Sequence, residues 1–422
     1  MQLEDLHELR DYRVFFKHLC PLLILFVTVF RIFGNEFTPL AEQPFPDAIS
    51  YTREAVAISE GNGFKVDFDE RLGPSGIDMG GESYFSTRYP PGFPLALALF
   101  ALIGGEGGVQ WGSRFVVVLL VIAVAVLAFA IGGALASCLA SVFVAISPFA
   151  TEASTLVLSD AFGALLTLLA LGSIIVLKKM KDRGKSGDAI LLCLGAICGF
   201  AVFSRIALVT LLIGAMIVFP TRKSLRLIVL GASPFLIVLA GYQLVEFGAP
   251  WRTGYSMFVQ GEIEFSLAYP LKANLYGERG FIFSDRLGGS LMRWTCPCDE
   301  YGPMGKAPSL LFYPAVGLGL YWVFFPPFVG LAAIASLVWK RRESSAKFAT
   351  VIIFLNLLMT TFYFYQGARL FAPAAYLLLL FGSIGLAVFI NRVLTRFRGL
   401  SFNDSDVAKP ILAKGAGIVD NG

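Results

Sequence analysis

At 56% hydrophobic and only 15% charged over 422 residues, with mean hydropathy +0.71, the chain lies far from soluble composition, since globular domains average about 45–50% apolar and about 25% charged. A net charge of +4, without a Lys/Arg block interleaved with aromatics, gives no footing for a nucleic-acid partner. The two histidines, His7 and His18, precede or abut the first apolar run, which excludes histidine catalysis or zinc ligation beyond a membrane.

A crossing helix takes about 20 mostly apolar residues, because hydrocarbon offers its backbone no hydrogen-bond partner. The mixed-charge start, Met1 to Lys17, leads into such a run without a small-residue cleavage site and reads as a retained signal anchor. Candidate spans follow at 19–33, 114–131, 133–149, 160–177, 188–204, 206–220, 225–246, 310–338, 347–365 and 370–391. The fold class predicted is an all-α polytopic membrane protein of about 10 transmembrane helices with two outer loops. Its organisation is a cytoplasmic N-terminus (1–18), a transmembrane domain (19–391) with outer loops at about 34–92 and 248–308, and a cytoplasmic tail (392–422). The stretch Phe93–Ile103 is too short to cross and predicts an interfacial helix ending at Gly104-Gly105.

Positive charge sets the orientation. With the N-terminus in the cytoplasm, most of the 34 Lys and Arg fall inside, including Lys178 to Lys185, Arg222 to Arg226, Lys340 to Lys347 and the tail, while acidic residues gather outside. Cys20, Cys138, Cys193 and Cys198 lie in apolar runs as packing residues. Cys296 and Cys298 flank Pro297 in the second outer loop, and their oxidation state stays open. Neither a fixed-period repeat nor the inverted halves of a secondary transporter stands out.

Without histidine, outer acid–base chemistry falls to Asp, Glu, Tyr or Lys. Asp47 precedes a helical run, Ala48 to Glu60, with Tyr51 and Glu54 one and two turns on. Pro-Asp before a helix is an ordinary N-cap, and a carboxylate at the bilayer surface is equally a candidate base. In Arg88-Tyr89-Pro90-Pro91 the prolines fix an extended entry, holding a guanidinium at headgroup level for a phosphate or simply to snorkel. Asp160 opens a span at its outer end, where the helix N-terminus favours a carboxylate. Arg205 interrupts an apolar run, as a turn or as a costly functional charge. Arg369 begins a helix, where the dipole disfavours a cation and a phosphate partner would explain it. The second outer loop is rich in aromatics, from Trp251 to Tyr301, which suit either an interfacial belt or sugar stacking.

These elements, in this order, resemble the GT-C class of membrane glycosyltransferases, in the branch with protein O-mannosyltransferases and the lipid A aminoarabinose transferase. The matching stretches are Asp47 to Tyr51, Ala57 to Phe64, Tyr89 to Leu95, Ile146 to Pro148, Leu158 to Asp160, Gly199 to Arg205, Phe247 to Tyr255 and Gly367 to Pro373. The resemblance implies that Asp47 acts on the acceptor as base and that Asp160 is a recurrent acidic position of the site. It places Arg88, Arg205 and Arg369 near the donor phosphate, with Tyr51 and Tyr89 in the same donor-binding set. Two departures bear on the acceptor: Ala48 follows Asp47 where relatives pair two acidic residues, and no large soluble C-terminal domain is expected.

The function so implied is transfer of a sugar from a polyprenyl-phosphate-linked donor to a glycan, lipid or protein acceptor at the extracytoplasmic face of the cell membrane. Chemistry favours that donor independently. Nucleotide sugars are cytoplasmic, whereas a polyprenyl phosphate diffuses laterally to an outer site, and Arg can stabilise its departing phosphate. No cofactor is indicated, and a divalent metal is left open. The alternatives are a lipid-linked-glycan flippase, with charges along a midplane path, and a non-catalytic envelope-assembly subunit, with Asp47 salt-bridged and inaccessible.

Overall fold

The computed structural model describes residues 19–39, 46–67, 76–78, 84–87, 89–254, 309–320, 323–363 and 368–398. Helix α1 (Cys20–Phe33) presents Leu22, Leu23, Phe26 and Phe30 outward. Exposed apolar residues in such numbers fit a bilayer as solvent. Helix α2 (Pro46–Ser59) begins with proline at its first position, where the missing N–H costs nothing. It is buried on two sides: Ala48, Tyr51 and Ala55 join the main core, while Ile49 and Ala57 pack on Val66.

Val66 belongs to a small antiparallel sheet of β1 (Lys65–Asp67), β2 (Gly76–Asp78) and β3 (Tyr84–Thr87), in the order β1-β3-β2. Lys65 and Ile77 both pair with Ser86. This small sheet lies in the loop between α1 and Gly92 and leaves the all-α fold class as expected. Its strands of three and four residues are too short to leave an alternating pattern in the sequence. The membrane body is helical, as expected.

Helix α3 (Gly92–Ala145) runs 54 residues but is broken at Gly104-Gly105 and at Gly133. Gly105 and Gly133 adopt φ of 55° and 79°, conformations open to glycine at little cost. The first break folds the short Gly92 to Ile103 piece back, so that a Cβ on Gly112 would lie 2.7 Å from the Phe100 ring. At the second, Ser137 Oγ donates to the Ala125 carbonyl at 2.9 Å across the turn. The short piece is therefore separate from the spans after it.

Next come α4 (Pro148–Ala153), α5 (Ser159–Asp182), α6 (Asp188–Ser204), a 3-10 turn at Ile206–Leu208, α7 (Val209–Val218) and α8 (Arg222–Phe247). The chain resumes as α9 (Ser309–Gly317), α10 (Pro327–Trp339), α11 (Ser344–Phe362), a 3-10 turn at Ala368–Phe371 and α12 (Ala372–Arg398). Among the described residues, five helices are long and apolar enough to cross a membrane: α3, α5, α8, α11 and Arg369–Thr395. Cys20–Phe33, Asp188–Ser204, Ile206–Val218 and Pro327–Trp339 are shorter apolar helices. The most apolar windows of α5 and of Arg369–Thr395 are each 72% buried, against 28% for α8, so the first two form the centre of the bundle.

The single span expected over 310–338 is corrected. The helix stops after Gly317, turns at Gly319 (φ 75°) and restarts at Pro327, behind Pro326. The intervening Val323 carbonyl accepts from Phe149 N at 3.1 Å and from Ser147 Oγ at 3.3 Å, which ties this segment to the start of α4. Proline at 326 and 327 withholds the N–H groups that a continuous helix would need.

Arg114, buried in α3, holds the loop bases together. It donates from Nε to the Ser154 carbonyl at 3.1 Å, from Nη1 to the Phe33 carbonyl at 3.0 Å, and from Nη2 to the Asn35 carbonyl. Its guanidinium lies 3.5 Å from the Phe37 ring centroid. The chain leading toward Asp47 is thereby fixed beside the chain leading into Asp160. At the opposite end of the bundle lie the basic residues, where Lys223 pairs with Asp188 at 2.7 Å and Lys340 with Glu343 at 2.9 Å.

Candidate active site

Four sequence-predicted residues converge at one end of the bundle in alternating charge. Arg369 Nη1 donates to Asp47 Oδ2 at 2.6 Å and lies 3.6 Å from Asp160 Oδ2. Asp160 Oδ1 in turn accepts from Arg205 Nη1. Asp47, Asp160 and Arg369 are buried, at 6%, 2% and 8% exposure, so their charges must be satisfied within the protein. The order is carboxylate, guanidinium, carboxylate, guanidinium.

Each member comes from a helix end. Asp47 sits in the first turn of α2, yet its Oδ2 faces Arg369 and its Oδ1 is buried with no hydrogen bond among the described residues, so the plain N-cap reading is not realised. Asp160 lies in the first turn of α5, where the helix N-terminus favours a carboxylate, and both its oxygens also face arginines. Arg205 terminates α6 in an extended conformation (φ −154°, ψ 114°), so it is at once a turn and a paired charge. Arg369 stands in the turn before α12, where two carboxylates offset the unfavourable helix dipole.

Tyr51 and Tyr89 are buried in ring contact with one another. Tyr51 shares a 2.9 Å hydrogen bond with Ser159 Oγ, next to Asp160, and its ring lies 4.7 Å from Tyr89 and 5.1 Å from Phe93. Gly92 permits this corner: a Cβ there would come 2.5 Å from Ser204 Oγ and 2.8 Å from the Phe203 carbonyl carbon. The Pro-Pro-Gly entry thus packs directly on the residues preceding Arg205. Arg88 lies outside the described residues, as do Cys296, Cys298 and most of the second loop's aromatics.

Beside the charge chain lies a cavity of about 160 Å³, reached by Arg205 and walled by Val209, Met359 and Leu370. Asn356, Thr360, Tyr363 and Thr253 supply its polar lining. Asn356 is 4% exposed, and its Oδ1 has no hydrogen-bond partner among the described residues. Sequence reasoning missed these groups; an Asn inside an apolar span was the signal available. Asp47 and Arg369 do not line this cavity, and Asp160 links it to them through Arg205. Among the described residues no cluster of three or more metal-ligating side chains forms.

Such an arrangement can hold a buried carboxylate by one oxygen while leaving the other open, and can offer a guanidinium to an anion in an adjoining apolar chamber. The fold that carries it is shared with two solved structures, at low sequence identity. The chain is similar to the oligosaccharyltransferase of Archaeoglobus fulgidus tethered with an acceptor peptide containing the NVT sequon (TM-score 0.53, 14% identity), over 92% of this chain and 52% of that one. It is also similar to ArnT from Cupriavidus metallidurans bound to undecaprenyl phosphate (TM-score 0.51, 11% identity), over 96% of this chain and 66% of that one. The chain spans about half the length of the oligosaccharyltransferase. No family profile and no curated protein matches it.

Proposed function

We propose that the chain is an integral-membrane glycosyltransferase that moves a sugar from a polyprenyl-phosphate-linked donor to an acceptor at the extracytoplasmic face. Asp47 Oδ1 takes the proton of the acceptor nucleophile, which attacks the anomeric carbon of the sugar. The bond from that carbon to the phosphate oxygen breaks, and the polyprenyl phosphate leaves with the electron pair. Arg205 meets the developing negative charge. Arg369 orients Asp47, and Asp160 orients Arg205 toward the chamber.

The observation that carries this reading is the split environment of Asp47, whose Oδ2 is bound by Arg369 while its buried Oδ1 accepts nothing among the described residues. The apolar chamber at Arg205 supports a lipid-borne rather than a water-borne donor. The chemistry named for the two solved structures, an acceptor peptide and undecaprenyl phosphate, is consistent with donor and acceptor of these kinds. Native mass spectrometry of the purified protein with undecaprenyl phosphate tests the donor side. Retention by the wild type and loss in R205A is the expected result, and equal retention by both contradicts the assignment.

A second reading, the non-catalytic envelope subunit, draws on the same pairing, because Asp47 is salt-bridged and only 6% exposed. The two readings part on turnover: a subunit needs the Asp47–Arg369 pair only for stability, and D47N would then leave glycan transfer intact. The flippase reading gains nothing, because the paired charges lie at one end of the bundle.

A further inference from the structure

At the basic end of the bundle, α5, α7 and α11 enclose a second cavity, of about 130 Å³. Ile174, Leu177 and Phe219 give it an apolar wall, and Lys178 and Lys181 line it with positive charge. Lys181 Nζ lies 5.8 Å from the Phe219 ring centroid, which sets a cation directly over the apolar part. Neither lysine is in an ion pair among the described residues, in contrast to nearby Lys223 and Lys340. Ser344, the first residue of the 19-residue α11, also lines it. The cap position before it, Glu343, makes no side-chain cap and gives its carboxylate to Lys340, so the helix N-terminus faces the cavity uncapped by a side chain.

We propose that this cavity binds the headgroup of an anionic glycerophospholipid from the leaflet at the basic end. Apolar wall and cationic rim together match an amphiphile, and a soluble anion has no use for Ile174, Leu177 or Phe219. Asp182 also lines the cavity, leaving its side chains with a single net positive charge. That suits a phosphodiester of one negative charge better than the more highly charged inorganic phosphate. A zwitterionic lipid brings its own cation against Lys178 and Lys181. Basic pockets between membrane helices on the cytoplasmic side are a recurrent setting for such headgroups. The site lies at the far end of the bundle from Asp47, and the inference does not depend on the transfer reaction.

The test uses the intact protein in detergent, titrated with phosphatidylglycerol, phosphatidylcholine and inorganic phosphate, read by native mass spectrometry and by melting temperature. Phosphatidylglycerol is expected to bind and raise the melting temperature, with phosphatidylcholine far weaker and inorganic phosphate failing to compete. K178Q/K181Q lowers phosphatidylglycerol affinity by about thirty-fold, since each lysine at an anionic lipid surface contributes about a factor of five. Both lysines are exposed, so the variant retains the bundle. K179Q/R183Q, an equal charge loss outside the cavity, retains binding. Undiminished binding in K178Q/K181Q, an equal loss in K179Q/R183Q, or displacement by inorganic phosphate overturns the proposal.

Discussion

Arg369 reaches Asp47 across 322 positions of sequence, donating from Nη1 to Oδ2 at 2.6 Å with both side chains buried. The contact clamps the start of the α2 helix to the turn that opens α12. Because the same Nη1 lies 3.6 Å from Asp160, one guanidinium fixes the relative placement of two carboxylates from α2 and α5.

Removing that guanidinium strands the buried Asp47 carboxylate and leaves Asp160 with Arg205 alone. Breaking a buried pair from one side costs about 3–5 kcal/mol, so R369A is expected to melt well below the wild type. D47A/R369A should recover part of the loss, since it removes both partners. A double-mutant cycle on melting temperature checks this, and strictly additive effects would show that the pair is not coupled.

R205A is expected to act on donor use and less on fold. Hydrogen bonds to charged groups are worth about 1.5–3 kcal/mol, so the variant should raise KM for a polyprenyl-phosphate donor roughly ten- to a hundred-fold. Asp160 keeps Arg369 as a neighbour, which limits the structural damage. Steady-state kinetics in detergent or liposomes separates this from a loss confined to kcat.

Y51F removes the hydroxyl shared with Ser159 and retains the ring against Tyr89 and Phe93. A single neutral hydrogen bond contributes about 1 kcal/mol, so a small drop in melting temperature is expected. Y51A also loses the ring packing and should cost about 3–5 kcal/mol. Equal melting temperatures for the two variants would mean that the ring contributes nothing.

G92A drives a methyl group into Ser204 Oγ and the Phe203 backbone. Overpacking of this kind costs about 1–3 kcal/mol. S204A should rescue it only in part, because the Phe203 carbonyl remains in the way. Full rescue would place the whole clash on the Ser204 hydroxyl.

Much of this site was legible before any coordinates, for a physical reason. Asp47, Asp160, Arg205 and Arg369 are charges set among apolar or membrane-adjacent residues, where charge is costly enough to need a purpose. Their pairing was not legible, because local sequence says nothing about which of two arginines meets a carboxylate 322 residues away. The N-cap alternative for Asp47 fits the local sequence equally well, and only tertiary contact decides against it. The break after Gly317 lay hidden in an apolar run, although Gly319, Pro326 and Pro327 marked it. Asn356 and Thr360 escaped notice because single polar residues in a span seldom stand out until a cavity is seen beside them.

The central claim is tested most directly by comparative mass spectrometry of lipids and glycans from cells carrying the wild type or D47N, with both proteins matched for abundance and melting temperature. The account predicts that D47N accumulates the polyprenyl-phosphate-linked sugar and lacks its glycosylated acceptor. Unchanged glycans and donor lipid in D47N would contradict it.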